Sequence, residues 1–374
     1  MKKILSLRVS LFLVIAFFVC ENYSFALDQI IRPYQGVRTS GMGGVRLTTG
    51  LYDENFFGNP ARVVSNPSFR MTIFDLMTEF NGNSIQTTKD LLSGGDVLQK
   101  IGDTAGKNNH GRVQTTFPFS FYLPAKGDRK MSYAFGIISS AQFDVDLRRS
   151  FNISPQALFD FGPAFTIGRR YLKDDVLAVG LTPHITYRLA SEKNYSFVDL
   201  IKGLSLSPSH SGGDGAMLDI DIGGTYDLPF TWKEFKFISG AAINNFLGGN
   251  YSNLGLSMLN TGNKPTPQPR SLGFGMSANR PTLWRFKDVV FALEFTDIGN
   301  NPDGGMFRTV HLGGEARYGV WAPRLGINQG YFTAGLGVDV RYFTFDFATY
   351  GEELSLNPGL LGDRRYAFRI SLGI

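Results

Sequence analysis

Apolar and polar side chains alternate with a period of two along most of this chain. From Leu177 to Leu189, residues Leu177, Val179, Leu181, Pro183, Ile185, Tyr187 and Leu189 share one face, and Ala178, Gly180, Thr182, His184, Thr186 and Arg188 share the other. Successive side chains of a strand point to opposite sides, so such a stretch is a strand with one greasy and one wet face. The pattern returns from Leu218 to Tyr226, where Leu218, Ile220, Ile222 and Tyr226 oppose Asp219, Asp221 and Thr225, and again in 289–295, 310–320 and 341–350. In the second of these three, Val310, Leu312 and Tyr318 face away from His311, Glu315 and Arg317. Apolar residues are spread through the chain in this alternation, not gathered into the continuous runs or helical stripes of a soluble core.

The period predicts strands near 69–80, 112–122, 131–144, 157–170, 175–190, 215–227, 235–247, 270–279, 285–297, 306–319, 322–328, 331–337, 341–350 and 365–374, about fourteen in all. The connections 81–111, 191–214 and 249–269 are long, whereas Tyr171 to Asp174, Leu228 to Glu234 and Arg280 to Trp284 are turns. Short turns at one end and long loops at the other are the habit of outer-membrane barrels. Alternation by itself also suits a soluble sandwich whose apolar faces meet in a core. The connection lengths argue against that. So does the clustering of Tyr171, Tyr187, Tyr226, Tyr318, Trp321 and Tyr350 near strand ends, where membrane-interface girdles sit. The expected fold is all-β, a transmembrane antiparallel β-barrel of about 14 strands.

Within the long connections, Lys89 to Ile101 and Ser196 to Gly203 have a helical pattern. Leu91, Leu92, Val97, Leu98 and Ile101 form an apolar stripe there; its plain role is packing on the barrel mouth, and its functional role is contact with a hydrophobic ligand. Asn263 to Arg270, with Pro265, Pro267 and Pro269, reads as a stiff exposed loop.

The first residues look like an export signal: Lys2, Lys3 and Arg8 lead into the apolar stretch Val9 to Val19, and Ser24-Phe25-Ala26 resembles a cleavage site. The stretch is too short for the roughly 20 apolar residues of a transmembrane helix. The single cysteine, Cys20, lies in this signal behind a bulky Val19, which does not suit lipid attachment. The mature chain is then cysteine-free, which excludes disulfides, thiol chemistry and thiolate metal sites. Charged residues are 18 % of the chain, against about 25 % in soluble domains, while Gly (44) and Phe (33) are abundant. Net charge is +5, and removing the three basic residues and one acidic residue of the signal leaves +3, too mild and too scattered for nucleic acid.

Candidate chemistry is sparse. His184 and His311 fall on inward faces, and His110 and His210 fall in predicted loops. Neither inward histidine has a Ser or Asp at a spacing that sets a nucleophile beside it, so both are expected to line the lumen, with Arg188, Glu315 and Arg317. The chain is not expected to be an enzyme and implies no cofactor. Inward charges, among them Asp160, Arg170, Asp219, Asp221, Glu294, Asp346, Arg365 and Arg369, mix both signs. Their simplest role is to salt-bridge the wall to itself and to whatever fills the lumen; an ion-selective ring of one sign is lacking. The Asp219/Asp221 pair has too few oxygens for Ca²⁺, and no metal site is expected.

Ahead of the first strand lie Ser40-Gly41-Met42-Gly43-Gly44, Asp53 and Asn59-Pro60-Ala61. A Gly-Met-Gly-Gly stretch followed by an Asn-Pro-Ala turn resembles the N-terminal hatch of the FadL-like outer-membrane transporters, a superfamily that includes PorV-like proteins. The segment Gly326 to Gly337 and the closing Arg364-Arg365-Tyr366 resemble the PorV-like and uncharacterised branch. The resemblance implies a fourteen-stranded barrel with a hatch in its lumen, with Gly41, Gly43, Gly44, Asn59, Pro60 and Ala61 as hatch residues. Glycines let backbone pass close to a wall, and Asn-Pro enforces a turn, so the segment suits a narrow lumen on physical grounds too. A dinucleotide-binding loop is the competing reading, but the third glycine and the βαβ unit are missing. The expected division is 1–26 signal, 27–67 hatch and 68–374 barrel. The last strand, with Tyr366, Phe368, Ile370, Leu372 and Ile374 on one face, resembles the assembly signal of outer-membrane barrels, although Ile stands last where Phe is usual. The implied partners are outer-membrane lipids, the barrel-assembly machinery and a hydrophobic small molecule such as a long-chain fatty acid, with no nucleic acid. The implied function is passive uptake of that molecule; the alternative is a PorV-like barrel that transports nothing and docks secreted or surface proteins.

Overall fold

The computed structural model describes residues 30–92, 108–126, 130–147, 153–192, 212–253, 257–259, 261–300, 305–355, 357 and 359–374. Among them fourteen antiparallel strands close into a barrel, each paired with its neighbours in sequence, with the first strand paired to the last. They are β1 (Arg70–Asn81), β2 (Asn108–Leu123), β3 (Met131–Leu147), β4 (Ile153–Tyr171), β5 (Leu177–Glu192), β6 (Gly212–Trp232) and β7 (Phe235–Asn244). The second half comprises β8 (Ser271–Leu283), β9 (Phe286–Ile298), β10 (Val310–Arg317), β11 (Trp321–Asn328), β12 (Tyr331–Val340), β13 (Phe343–Glu353) and β14 (Gly362–Gly373). Closure abolishes the sheet edge, which is the condition for strands to stand in hydrocarbon. Among the described residues no helix is long and apolar enough to cross a membrane.

The period-two pattern maps onto the wall as anticipated. In β5, Val179, Leu181 and Ile185 are 40, 37 and 47 % exposed, whereas Ala178, Thr182, His184, Thr186 and Arg188 are buried. Large apolar side chains cover the outside from Phe74 in β1 to Leu372 in β14, and the inside is charged and polar. This inverts a soluble protein and defines a lipid-facing belt. Tyr171, Trp232, Trp284, Tyr318 and Trp321 stand exposed at the turn end, as an interfacial girdle requires. Tyr350 does not belong to that girdle. It shares the parity of Asp346 in β13, faces inward at 2 % exposure and donates its hydroxyl to Glu79 over 2.7 Å.

Turns are tight at one end: β6 and β7 are joined by Lys233 and Glu234 alone, both with positive φ, the two-residue hairpin that matches strand twist. At the loop end three expectations change. His110 is not in a loop: β2 begins at Asn108 and carries it into the lumen. The helix expected from Lys89 begins earlier, as α2 (Gly82–Leu92), directly after β1. Val97, Leu98 and Ile101, the side chains of Leu91 and Leu92, and the segment 196–203 lie outside the described residues. The proline-rich 263–270 is not an exposed loop, because Pro265, Gln268 and Pro269 are buried. Arg188 draws it in by donating to the Thr266 carbonyl and to Gln268 Oε1, both at 3.0 Å.

The stretch before β1 runs through the barrel's interior. It contains the short helix α1 (Val37–Gly41) and single 3-10 turns at Tyr52–Asn55 and Pro60–Ser65. Its apolar anchor is Tyr34, Phe56 and Val63, packed on Tyr122, Ala134, Ile138 and Ala164 of β2 to β4.

Candidate functional site

Two seats of glycine receive this lumen segment. At the first, α1 ends at Gly41 and the chain passes Gly43 and Gly44 with φ of +71° and +93°, values that favour glycine. The wall opposite is also glycine: a Cβ on Gly313 would stand 1.9 Å from the Met42 carbonyl oxygen, and one on Gly335 would stand 3.0 Å from Gly41 Cα. Backbone therefore rests on backbone. Thr333 Oγ1 donates to the Gly41 carbonyl over 3.0 Å and His311 Nδ1 to the Gly43 carbonyl over 2.9 Å. At the second seat, a Cβ on Gly180 would lie 2.3 Å from the Pro60 carbonyl carbon, and one on Gly223 would lie 2.0 Å from Asn59 Oδ1. Asn59 holds its own turn by accepting from Ala61 N (3.0 Å), and its Nδ2 donates to the Leu47 (2.8 Å) and Gly224 (3.1 Å) carbonyls. All six residues carried over from the resemblance thus line the two contacts between segment and wall.

Electrostatics tie the segment down between the seats. The buried Glu294 carboxylate of β9 accepts from three successive backbone amides, Arg46 (2.6 Å), Leu47 (2.8 Å) and Thr48 (2.9 Å), and from Thr48 Oγ1 (2.8 Å). Arg32 bridges Asp297 (2.9 Å) and Glu352 (2.8 Å), and Arg38 bridges Glu54 (2.8 Å) and Glu315 (3.0 Å). Burial works against both guanidinium charges, but their paired carboxylates outweigh it and hold both more firmly protonated than usual. Asp53 accepts from the Tyr34 hydroxyl and lies 3.1 Å from Arg369. Burial pushes its carboxyl up to about 6, against the pull of Arg369. Arg62 is pulled down to about 10, by burial first and then by the neighbouring Arg38 and Arg170.

The expected lumen-lining residues are inside the barrel but do not converge on one site. Arg188 is fully buried and forks onto Asp160 at 2.6 and 2.7 Å near the loop end. His184 stands edge-on to Phe57, ring centroids 5.2 Å apart. His311 and Glu315 hold the first seat, and Arg317 lies at the turn end, 3.1 Å from Asp339. Sequence reading missed the Glu294 clamp, whose partners lie more than 240 residues away. It also missed His110, whose two ring nitrogens each meet a carboxylate at 2.6 Å, Asp144 on one side and Glu79 on the other. Asp219 is consumed by the amides of Ile220, Leu247 and Gly249 at 2.7 to 2.8 Å, so it pins a loop.

Free space is unevenly placed. Around Arg32, Arg46, Asp297 and His311, between segment and wall, a gap of only about 10 Å³ remains. At the turn end a vestibule of about 680 Å³ opens beneath the segment, lined by Leu51, Tyr52, Arg62 and Phe69 of the lead-in and by the ends of β7 to β10 and β12 to β14.

These features define the class: a closed fourteen-stranded membrane barrel occupied by its own N-terminal segment. In fold the chain is similar to the Ralstonia pickettii toluene transporter TbuX, with a TM-score of 0.51 at 12 % identity over 91 % of this chain and 97 % of that one. It is similar as well to the deltaS2S3 mutant of the TodX monoaromatic hydrocarbon channel, with a TM-score of 0.52 at 11 % identity over 91 % of this chain and 98 % of that one. The closed fourteen-stranded barrel anticipated from the sequence is the fold observed, and the likeness to these two structures is one of fold. No protein-family model matches the sequence, and no curated protein does.

Proposed function

We propose that this chain is an outer-membrane barrel through which a hydrophobic small molecule passes without energy input, the passage opening when residues 27–67 shift as a hatch. The observation that carries this is the pairing of a hydrocarbon-channel fold with a lumen segment seated on glycine and ion pairs. Such contacts can be exchanged for water when the segment moves, which apolar packing does not allow. Residues 1–26 serve as the cleaved export signal, the face Tyr366 to Ile374 is what the barrel-assembly machinery reads, and the turn end faces the periplasm. Leu91, Leu92, Val97 and Leu98 gather the ligand at the mouth. Uptake of labelled toluene and of a labelled long-chain fatty acid is compared between a deletion strain and one carrying the gene. Equal uptake of both compounds would end the transport reading.

A second reading, a PorV-like barrel that docks secreted or surface proteins and passes nothing, is favoured by one observation. Among the described residues, the lumen around His311 and Asp297 is filled by the segment and its ion pairs. Co-purification of exported proteins with the barrel, joined to unchanged uptake, selects this reading.

A further inference from the structure

The vestibule at the turn end is not neutral. Its wall carries seven basic residues, Arg38, Arg62, Arg70, Lys236, Arg280, Arg317 and Arg341, against the acids Asp288, Glu315 and Asp339. Three of the seven are committed elsewhere: Arg38 to Glu54 and Glu315, Arg280 to Glu234 at 2.6 Å, and Arg317 to Asp339 at 3.1 Å. The other four form no salt bridge among the described residues, although Arg70 is close enough to Asp53 for the two charges to interact. Arg70 lies over the Tyr52 ring at 5.2 Å and reaches the Thr344 and Ser371 hydroxyls, Arg341 lies over Tyr342 at 4.7 Å, and Lys236 is exposed. Asp288 alone opposes them as an acid without a cationic partner.

Arg62 is the telling member. It is 8 % exposed; its Nε donates to the Gly50 carbonyl (3.3 Å) and its Nη1 to Ser65 Oγ (3.1 Å), while Nη2 has no partner among the described residues and the side chain lines the vestibule. A guanidinium buried to this degree costs free energy unless something answers its charge. The other inward arginines of the segment answer it with paired carboxylates; this one faces a cavity. Beside it stand Leu51, Tyr52, Phe69, Val290 and Phe343, an apolar lining within the 300 to 1,000 Å³ range of small-molecule sites.

We infer that the vestibule binds a small organic carboxylate with a short apolar body, its anionic group on Arg62 and Arg70 and its body against Leu51, Tyr52 and Phe343. Guanidinium forks match a carboxylate with two parallel hydrogen bonds, and Lys236 and Arg341 raise the local potential as a focusing rim. The site goes beyond the transport reading and does not depend on it, because it is measured at equilibrium with no uptake step.

The test uses the full-length purified barrel in nanodiscs, with 4-tert-butylbenzoate as probe, 4-tert-butylbenzyl alcohol as its uncharged mate and inorganic phosphate as the anion without a body, by calorimetry. The carboxylate should bind, more weakly at high salt, and at least about tenfold more tightly than the alcohol or phosphate. Arg62→Gln and Lys236→Gln should each weaken it; the second side chain is exposed and makes no hydrogen bond or ion pair among the described residues, so it remains informative if the first variant folds poorly. Alcohol binding as tightly as carboxylate, phosphate binding as tightly, an affinity untouched in both variants, or no binding at all would each overturn the inference.

Discussion

Replacing Glu294 with glutamine removes the charge that three consecutive amides of the lumen segment share. Hydrogen bonds to a charged acceptor contribute about 1.5–3 kcal/mol each, and a glutamine keeps one neutral oxygen while turning an amide donor toward groups that also donate. The loss of docking free energy is therefore about 3–5 kcal/mol, which at about 1.4 kcal/mol per tenfold shifts local opening of residues 45–50 by about two to three and a half orders of magnitude. Hydrogen exchange in nanodiscs reads this directly. The amides of Arg46, Leu47 and Thr48 should exchange at least about a hundredfold faster in the variant, with the strand amides unchanged. Glu294→Asp, which keeps the charge but shortens the reach, should fall between. Protection at these three amides preserved to within about threefold would refute the view that this carboxylate pins the segment.

Three further outcomes follow from the same geometry. Gly180→Ala or Gly223→Ala drives a methyl into Pro60 or Asn59 and should cost docking at least about 1–3 kcal/mol, read as trypsin cleavage after Arg62 in the folded barrel; Gly224→Ala, whose added carbon meets nothing closer than 3.7 Å, should leave cleavage unchanged. Val179→Lys, on the lipid face, should destabilise the barrel by about 2–4 kcal/mol in vesicle unfolding if it stands near the bilayer midplane, and a silent substitution would contradict the belt. Asp53 has its folded pKa raised from 3.8 to about 6 by burial, with Arg369, Asp75, Glu54 and Arg70 around it. Its stabilising share is then complete below about pH 4 and lost as pH rises through 6. Segment protection should be weaker at pH 7.5 than at pH 5, and Asp53→Asn should flatten the difference; tightening with rising pH would refute the assignment.

How much of this was legible in the sequence follows from which physics is local. Parity within one strand puts His184, Arg188, His311 and Glu315 on the face that is buried in the structure, because alternation needs no partner. The same parity, counted from Asp346, puts Tyr350 inside; grouping it by residue type with the girdle overrode a count that was available. His110 was lost because Asn108-Asn109-His110-Gly111 has turn composition, yet in a barrel the inner face is polar and a polar run can still be wall. The inward fold of 263–270 was hidden for the opposite reason: prolines stiffen a segment without saying where it lies. The inward face of Glu294 and the close approach of the hatch glycines are legible, but their partners are not, since these lie far along the chain and no spacing encodes them.

The two flanks of the lumen segment are held by different forces, and that difference orders its release. Toward β9 to β13 ion pairs stand beside small apolar contacts: Arg32 on Asp297 and Glu352, Arg38 on Glu315, Arg46 on Asp297 and Glu294 on the amides, with Val37 near Ala348 and Tyr350, and Met42 and Val45 against Val290 and Ala292. Buried ion pairs gain little net free energy, because separation returns each group to water, so the Glu294 clamp on the amides is the strong member of this flank. Toward β2 to β4 the contacts are Tyr34, Phe56 and Val63 on Tyr122, Ala134, Ile138 and Ala164, with Phe56 filling the space over Gly136. Exposing a side chain of that kind costs about 1.5–3 kcal/mol each, with nothing regained from water. The segment should therefore loosen first along residues 38–50 and pivot on 52–65, which remains against the wall. Hydrogen exchange in the native barrel should show amides of 38–50 opening before those of 52–65. Simultaneous opening of both stretches, or an earlier opening at 52–65, would mean that the aromatic anchor is not the hinge.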